Sequence, residues 1–283
     1  MDLIKKAHLL TFRLTTRFDP KSAPSLLVPL YLSMRSLLDS LYFCWICLLL
    51  GAVGVSSLKM KTVYFIRHSI SEMNEHLQVE GQSWGSPGFS DAGLYDTKLS
   101  KAGLGMVERL NRHLRSGDGL VEGAKGIENA DLLVVSPLTR TLQTASMALD
   151  GILREDIKSI VVPCASERLY LSSDCGRSRE ELQKEYPQYD YELLDKEEWW
   201  YTAQEDYKEW RPEGSYLTAG EPRDAFEERI LRFKRFLKDR EEETIVVVTH
   251  WGVIKALSGK SLDNCGILKL NMLELLEDLD KNC

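Results

Sequence analysis

The sequence predicts an α/β fold, a three-layer sandwich in which helices cover both faces of a mostly parallel, doubly wound sheet. From Thr62 onward, short β-branched runs alternate with amphipathic helical patterns, and this alternation is typical of βαβ units. The strand-like runs are almost continuously apolar, as expected for parallel strands buried on both faces. With 283 residues, of which 43% are hydrophobic and 28% charged, the chain can bury a core of adequate size.

Four strands are predicted from these apolar runs, each short enough for a buried strand. They are Thr62–Ile66, Asp131–Val135, Ser159–Pro163 and Thr244–Thr249.

Three helices are predicted between the strands, at Ser100–Arg115, Leu138–Leu149 and Arg223–Arg240. Ser100 is a residue type favoured at a helix N-cap. Helical spacing gives the first helix one apolar face, made of Leu104, Val107, Leu110 and Leu114. The third helix has a similar face, made of Phe226, Ile230, Phe233 and Leu237.

Two further segments are predicted to shape the surface around the sheet. Gly81–Gly93 is rich in Gly, Ser and Pro and is predicted to be a loop. Tyr186–Tyr216 is rich in Trp, Tyr and acidic residues and is predicted to be an insertion packed over one end of the sheet. We expect substrate specificity to come from these two segments.

Residues 1–59 differ from the rest and are predicted to form an N-terminal extension to a domain at 60–283. Within the extension, residues 40–58 carry no charge, and a helix of that length spans roughly 28 Å, close to the thickness of a bilayer core. The preceding stretch is basic, which suits a signal anchor with a cytoplasmic N-terminus or a cleaved targeting segment. Initiation at Met60 is a third interpretation. The protein is accordingly membrane-tethered or targeted under the first two interpretations and cytoplasmic under the third.

Charge and cysteine content exclude several classes of function. A net charge of −7 argues against a nucleic-acid partner, because such proteins need a basic face. Six cysteines are too few for a disulfide framework in a chain of this length. Cys44 and Cys47 form a C-x-x-C inside the apolar run, without a second pair that would complete a zinc site. We therefore expect no metal.

Residues that can handle phosphate follow three of the predicted strands. Arg67 and His68 follow the first strand, Arg140 lies shortly after the second, and His250 follows the last. In open α/β sheets, ligands bind outside the carboxyl ends of the strands, so these side chains should converge. Arginine binds phosphoryl oxygens bidentately, imidazole can attack phosphorus, and the helix starting near Leu138 should point its N-terminus at the anion.

Five sequence elements lie in order between about residue 62 and residue 270. They are Arg67–Asn74, Asp96–Gly103, Ser136–Ala145, Glu167–Ser178 and Val248–Gly252. In the same order, they resemble R-H-G-x-S-x-x-N, D-x-x-L-[ST]-x-x-G, S-P-x-x-R-x-x-Q-T-A, the segment that carries the acid, and T-H-x-G of the histidine phosphatase superfamily, which includes the phosphoglycerate mutases.

This resemblance implies a role for each matching residue. His68 would be the nucleophile that forms a phosphohistidine, and Glu167 would protonate the leaving oxygen and then assist the attack of water. The phosphoryl group would be bound by Arg67, Asn74, Arg140 and His250. The arginines supply the neutralising charge, so the resemblance implies neither a metal nor a cofactor.

The predicted function is a metal-independent phosphatase acting on a small-molecule phosphate ester or a phosphoprotein. One alternative is mutase-type transfer between hydroxyls of a small acid such as phosphoglycerate. The mutases' tryptophan-containing continuation has no clear match in E-H-L-Q-V-E-G-Q-S-W after the first motif. The second alternative is a weak or inactive phosphate-binding relative, because Ser69 stands where the superfamily usually has glycine.

Overall fold

A computed structural model describes residues 61–194, 197–201 and 213–276, and in this part of the chain the predicted α/β architecture is confirmed. Five strands form one sheet in the order β3-β2-β4-β1-β5. The strands are β1 Thr62–Arg67, β2 Leu132–Val135, β3 Lys158–Val161, β4 Thr244–Thr249 and β5 Ile267–Asn271. The first four are parallel to one another, and β5 pairs with β1 in the antiparallel direction.

The helices of the described residues connect the strands and cover both faces of the sheet. They are α1 Glu72–His76, α2 Lys101–Ser116, α3 Thr139–Ala148, α4 Arg179–Glu185, α5 Arg223–Asp239, α6 Trp251–Ser258 and α7 Met272–Leu276. Alternate residues of each central strand enter opposite cores. Ile66 and Val248 join the core that includes α2 and α3, whereas Phe65 and Val247 join the core that includes α5, α6 and α7. The three-layer arrangement follows directly from this alternation.

The observed elements differ from the predicted ones at a few positions. β3 ends at Val161 rather than Pro163, because Pro163 lacks the N–H that a ladder needs and begins a short 3-10 turn instead. The edge strand β5 was not predicted. Leu104 of α2 is 37% exposed and does not share the buried face of Val107 and Leu110.

Two predictions concern residues outside or partly outside the described ranges. In the segment after Tyr186, residues Tyr189, Tyr191 and Leu194 are buried in the core of the α2 and α3 face, and Asp190 bridges to Ile160 of β3. This part therefore packs beside an edge strand, not over the end of the sheet. Residues 202–212 of the predicted insertion and the apolar segment 40–58 lie outside the described residues. Among those described, no helix combines the length and the apolar character needed to cross a bilayer.

Candidate active site

A cavity of about 840 Å³ opens at the carboxyl ends of β1, β2 and β4. The structure brings five of the six predicted site residues to its surface, and these are Arg67, His68, Asn74, Arg140 and Glu167. The sixth, His250, lies against His68, with 5.1 Å between the two ring centroids. The described parts of the predicted 186–216 insertion contribute no lining residue, whereas Trp84 of the 81–93 loop does.

His68 is held in the form that an attacking imidazole requires. Its Nδ1 lies 2.7 Å from the carbonyl oxygen of Ser69, and because a carbonyl can only accept, Nδ1 carries the hydrogen. In the neutral ring, Nε2 therefore keeps its lone pair. Burial, reinforced by the positive charges of Arg140 and Arg67, lowers the pKa of His68 well below its ordinary value of 6.5. The ring is consequently neutral at pH 7.

His250 is completely buried at the start of α6. Its Nε2 lies 2.7 Å from the hydroxyl of Ser136, which also accepts a hydrogen bond from the backbone N–H of Leu138. If the Ser136 hydroxyl donates to Nε2, the neutral ring of His250 carries its hydrogen on Nδ1. That Nδ1 is buried and has no hydrogen-bond partner among the described residues. Burial, followed by the charge of Arg140, lowers the pKa of His250 as well.

Arg140 is fixed in the first turn of α3 by a buried ion pair. Its Nη2 donates to Asp174 Oδ1 at 2.9 Å and its Nη1 donates to the carbonyl of Ser173 at 2.6 Å. Only 4% of the Arg140 side chain and 7% of the Asp174 side chain are exposed. Backbone N–H groups of Tyr170 and Leu171 bond the other oxygen of Asp174. The guanidinium is therefore held in one orientation beside His68.

Arg67 and Asn74 complete the donors around the floor of the cavity. Arg67 is the last residue of β1, and its Nη1 donates to the carbonyl of Leu262 at 2.8 Å. Its Nε is buried without a hydrogen-bond partner in the described chain. The Asn74 side-chain oxygen accepts from the backbone N–H of Ser71 in the capping box of α1. The side-chain oxygen of Asn74 is thus bonded within the helix cap, and the side-chain NH₂ group is the donor left for a ligand.

Both oxygens of the Glu167 carboxyl accept hydrogen bonds from backbone N–H groups. Its Oε1 accepts from the N–H of Arg168 at 3.0 Å, and its Oε2 accepts from the N–H of Gly252 in α6 at 3.1 Å. Desolvation, together with the negative charge of Asp174, raises the pKa of this carboxyl above its ordinary 4.5. Glu180 and Glu181, the competing acids in the sequence, are exposed at the start of α4 and do not line the cavity.

An ion pair between Arg229 of α5 and Glu221, which precedes that helix, supports the loop that carries Glu167. Arg229 forms a bidentate pair with Glu221, at 2.9 Å for Nε and 2.5 Å for Nη2. The same guanidinium donates to the carbonyls of Ser166 at 2.7 Å and of Glu167 at 3.2 Å. The position of the acid therefore depends on α5, which no sequence motif indicated.

Comparison with known proteins identifies the family to which this site belongs. A model of the histidine phosphatase superfamily (branch 1) matches residues 63–275. The chain belongs to this superfamily. Two phosphoglycerate mutase-like proteins of Arabidopsis thaliana are similar to it, with 26% identity over 243 residues and 28% over 225 residues. The alignments cover 75% and 69% of this chain, and 79% and 70% of the relatives.

Solved structures of this superfamily are also similar to the chain. A mycobacterial glucosyl-3-phosphoglycerate phosphatase matches with 17% identity and a TM-score of 0.43, over 74% of this chain and 89% of its own.

Ser69 is the one departure from the superfamily's first motif, and the structure accommodates it. Ser69 is not among the residues with positive φ, so its backbone does not require glycine. Its hydroxyl donates to the carbonyl of Gly103 in α2 at 2.8 Å, and Ser69 is absent from the described lining of the cavity. The side chain therefore points into the protein and leaves the phosphate side of His68 open.

We expect Ser69→Gly to change kcat/KM by less than about threefold, because the serine neither strains the backbone nor narrows the cavity. Thermal unfolding should show a loss of about 1 kcal/mol from the missing hydroxyl bond. Ser69→Ala, which keeps Cβ and removes only the hydroxyl, is the matched control. An increase of tenfold or more in activity on Ser69→Gly would instead identify serine as a disabling residue.

Asp96, of the superfamily's second motif, caps α3 from a distant loop. The helix has no side-chain cap of its own at Leu138. Asp96 accepts hydrogen bonds from the Thr139 N–H at 2.7 Å and from the Arg177 Nε at 2.9 Å. The N–H of Thr139 is therefore bonded to a protein carboxylate and is not available to a phosphoryl group. Asp96 instead fixes the turn of helix that presents Arg140.

Asp96→Ala should lower the free energy of unfolding by about 3 kcal/mol, because it leaves the buried donors of Thr139 without their acceptor and removes one carboxylate partner of the partly buried Arg177. Alanine also tolerates poorly the positive φ of 41° at this position. Asp96→Asn keeps one acceptor and tolerates that backbone, so it should cost less than half as much. Denaturant unfolding of the two variants measures the difference, and equal losses would contradict the capping role.

Gly252 leaves the space that the Glu167 carboxyl occupies. A Cβ at this position would lie 2.3 Å from Glu167 Oε1, although the backbone there has no positive φ that demands glycine. Gly252→Ala should therefore displace the acid and reduce kcat by about tenfold to a hundredfold. Steady-state kinetics test this, with Gly105→Ala in α2 as a control, since a Cβ there meets only the end of Arg109 at 3.5 Å. Unchanged kcat in Gly252→Ala would contradict the role of this contact.

Proposed function

We propose that the protein is a metal-independent phosphatase that hydrolyses phosphate monoesters through a phosphohistidine at His68. The observation that carries the proposal is the environment of His68, whose neutral ring has its hydrogen on Nδ1 and its lone pair on Nε2. Arg67 and Arg140 line the same cavity, and so does the Glu167 carboxyl, whose pKa is raised. Nucleophile, anion-binding groups and proton donor thus occupy one concave site, as phosphoryl transfer requires.

In the first step, Nε2 of His68 bonds to phosphorus while the bond from phosphorus to the leaving oxygen breaks. Protonated Glu167 gives its proton to that oxygen, so the alcohol departs neutral. Arg67, Arg140 and the NH₂ group of Asn74 hold the phosphoryl oxygens. Nδ1–H of His250, which is buried without a partner among the described residues, supplies a further donor. These fixed donors stabilise the charge on the phosphoryl group during transfer.

In the second step, water replaces the alcohol. Glu167, now a carboxylate, takes a proton from that water as its oxygen bonds to phosphorus. The P–N bond breaks, its electron pair returns to Nε2 of His68, and inorganic phosphate leaves. Both Glu167 and His68 are then back in their starting protonation states, which closes the cycle.

The proposal is tested by trapping the intermediate on the full-length chain with a monoester that carries a labelled phosphoryl group. We expect rapid incorporation of label that is lost in acid and retained in base, which is the stability of a phosphoramidate. Label that is lost in base as well as in acid would indicate an acyl phosphate, and label that resists acid but is lost in base would indicate a phosphoserine or phosphothreonine. Either result would overturn the assignment to histidine.

Mutase-type transfer is the second candidate, and the printed descriptions of the two Arabidopsis relatives as phosphoglycerate mutase-like favour it. Both functions share the phosphohistidine and differ in whether water or a second hydroxyl accepts the phosphoryl group. Parallel assays of phosphate release and of isomerisation between 2- and 3-phosphoglycerate separate them. Isomerisation faster than release would favour the mutase.

A further inference from the structure

The cavity is larger than the phosphoryl chemistry requires. Its volume is about 840 Å³, within the range of roughly 300–1,000 Å³ typical of sites that enclose drug-sized ligands. The groups proposed to act on phosphate occupy its floor. The remaining volume is therefore available to the leaving group of the substrate.

One side of this remaining volume is an aromatic wall formed by Trp84, Tyr170, Arg168 and Phe226, all of which line the cavity. The rings of Trp84 and Tyr170 meet edge to face, with centroids 5.5 Å apart. The guanidinium of Arg168 lies 4.6 Å from the centroid of Tyr170 and 5.8 Å from that of Phe226. Three rings and one planar cation thus form a continuous surface.

The wall is held in place by contacts on several sides. Arg168 donates from Nε to the carbonyl of Glu221 at 2.9 Å, and its backbone N–H is one of the two that bond Glu167. Tyr170 packs against the buried cluster of Met73, Phe89 and Leu171. The wall is therefore preformed, and it is linked to the proposed acid through the hydrogen bond from the Arg168 N–H to Glu167.

Trp84 extends this wall from a loop that is closed by its own hydrogen bonds. Ser86 Oγ donates to the carbonyl of Gly81 at 2.8 Å, and Gln82 Nε2 donates to the carbonyl of Gly88 at 3.2 Å. The indole remains 45% exposed, although large aromatic side chains gain most when buried. A ligand that covers this ring would complete its burial.

We propose that the leaving group of the substrate carries a planar aromatic ring that lies against the aromatic wall while the phosphoryl group reaches His68. This inference rests on the proposed phosphatase function and specifies its substrate class. Flat π surfaces favour another π system in offset or edge-to-face contact, whereas a saturated group of equal size gains only the burial of its area. The wall therefore distinguishes an aromatic ring from a sugar, a short acid or an alkyl chain.

The binding test uses two phosphonates that cannot be hydrolysed, benzylphosphonate and cyclohexylmethylphosphonate. They share carbon number, connectivity and charge, and differ in the aromaticity of the ring. Calorimetry on the full-length chain should show benzylphosphonate binding about threefold to tenfold more tightly. Trp84→Leu should remove this preference and Trp84→Phe should retain most of it. Equal or tighter binding of the saturated ligand, or a preference unchanged in Trp84→Leu, would overturn the proposal.

A turnover test separates the failure of this inference from the failure of the proposed function. Phosphate release is compared for nucleoside 5′-monophosphate, pyridoxal 5′-phosphate and riboflavin 5′-phosphate against glycerol 3-phosphate, glucose 6-phosphate and 3-phosphoglycerate. We expect kcat/KM at least about tenfold higher for the best ring-bearing ester than for the best ester without an aromatic ring. Turnover that favours the second set would overturn the inference and leave the phosphatase intact. If no ester is turned over, the result counts against the proposed phosphatase function. The relative affinity for the two phosphonates would still test whether the aromatic wall prefers an aromatic ring.

Discussion

His68→Asn is expected to reduce phosphate release by about 10⁴-fold or more. The variant lacks the imidazole that would bond to phosphorus, and without it the other groups of the site have no nucleophile to assist. The asparagine NH₂ group can still donate to the carbonyl of Ser69, as Nδ1 of His68 does at 2.7 Å. The local fold should therefore survive, and the loss should lie in kcat and not in stability. Single-turnover trapping of the labelled protein should show no phosphoenzyme.

The matched control for this variant is His113→Asn. His113 lies on α2, is partly exposed and pairs with Asp118 at 2.8 Å, away from the cavity. It should keep full activity. If His68→Asn still accumulates an acid-labile phosphoenzyme, another residue must be the nucleophile and the assignment is wrong.

Glu167→Gln is expected to reduce kcat by about 10²-fold to 10⁴-fold for alkyl phosphates, whose leaving oxygen needs a proton. For an ester with a weakly basic leaving group, such as p-nitrophenyl phosphate, the first step should be nearly unaffected. Glutamine keeps the size of the side chain and one oxygen, which can accept from either the Arg168 or the Gly252 backbone N–H. The variant therefore separates proton donation from packing.

The pH dependence provides an independent test of the same residue. In the proposed mechanism Glu167 acts protonated, and because its pKa is raised above 4.5, it keeps its proton to a higher pH than an ordinary glutamate. Activity should fall as pH rises through that raised pKa. His68 acts neutral, and because its pKa is lowered below 6.5, activity should fall in acid only below that value. In Glu167→Gln the decline at higher pH should disappear, and the decline in acid should remain.

Glu180→Gln is the control for this experiment, since Glu180 is an exposed acid at the start of α4. Its pH profile should match that of the unmodified protein. Should the same decline at higher pH persist in Glu167→Gln, a different group is the acid.

Much of the fold could be predicted because the strands that build the centre of the sheet are almost purely apolar. β4 was predicted with its observed limits, and β1 differs by one residue. The missed strand β5, with the sequence ILKLN, lies at the sheet edge and is only partly buried. A short edge strand of this kind lacks the continuous apolar run that reveals a central one.

Site residues were predictable where their place at the end of a strand is enough to fix where they lie in the fold. Topology brings four residues together because they lie at or just after the carboxyl ends of parallel strands of one sheet. They are Arg67, His68, Arg140 and His250. The supporting contacts were not predictable, because they join segments far apart in sequence. Arg229 reaches the Glu167 loop from α5 and is itself held by Glu221, and no local pattern marks a bond of this kind.

The aromatic wall was missed for a similar reason. Trp84 belongs to a loop that was expected to influence specificity, but Phe226 was interpreted only as part of the buried face of its helix. It is 7% exposed and also borders the cavity. Helical periodicity identifies the buried face of a helix, and it cannot show which end of that face meets a ligand.

Asp174 links two properties of the site, and this limits how the site can change during evolution or engineering. The same carboxylate orients Arg140 at 2.9 Å and, through its charge, raises the pKa of Glu167. Under the proposed function, any substitution that removes this charge alters phosphate binding by Arg140 and the acidity of Glu167 together. The two properties cannot be changed separately at this position. Variation is therefore easier at the uncharged rings of the aromatic wall, such as Trp84, where the contact with the leaving group can change without the loss of a charge.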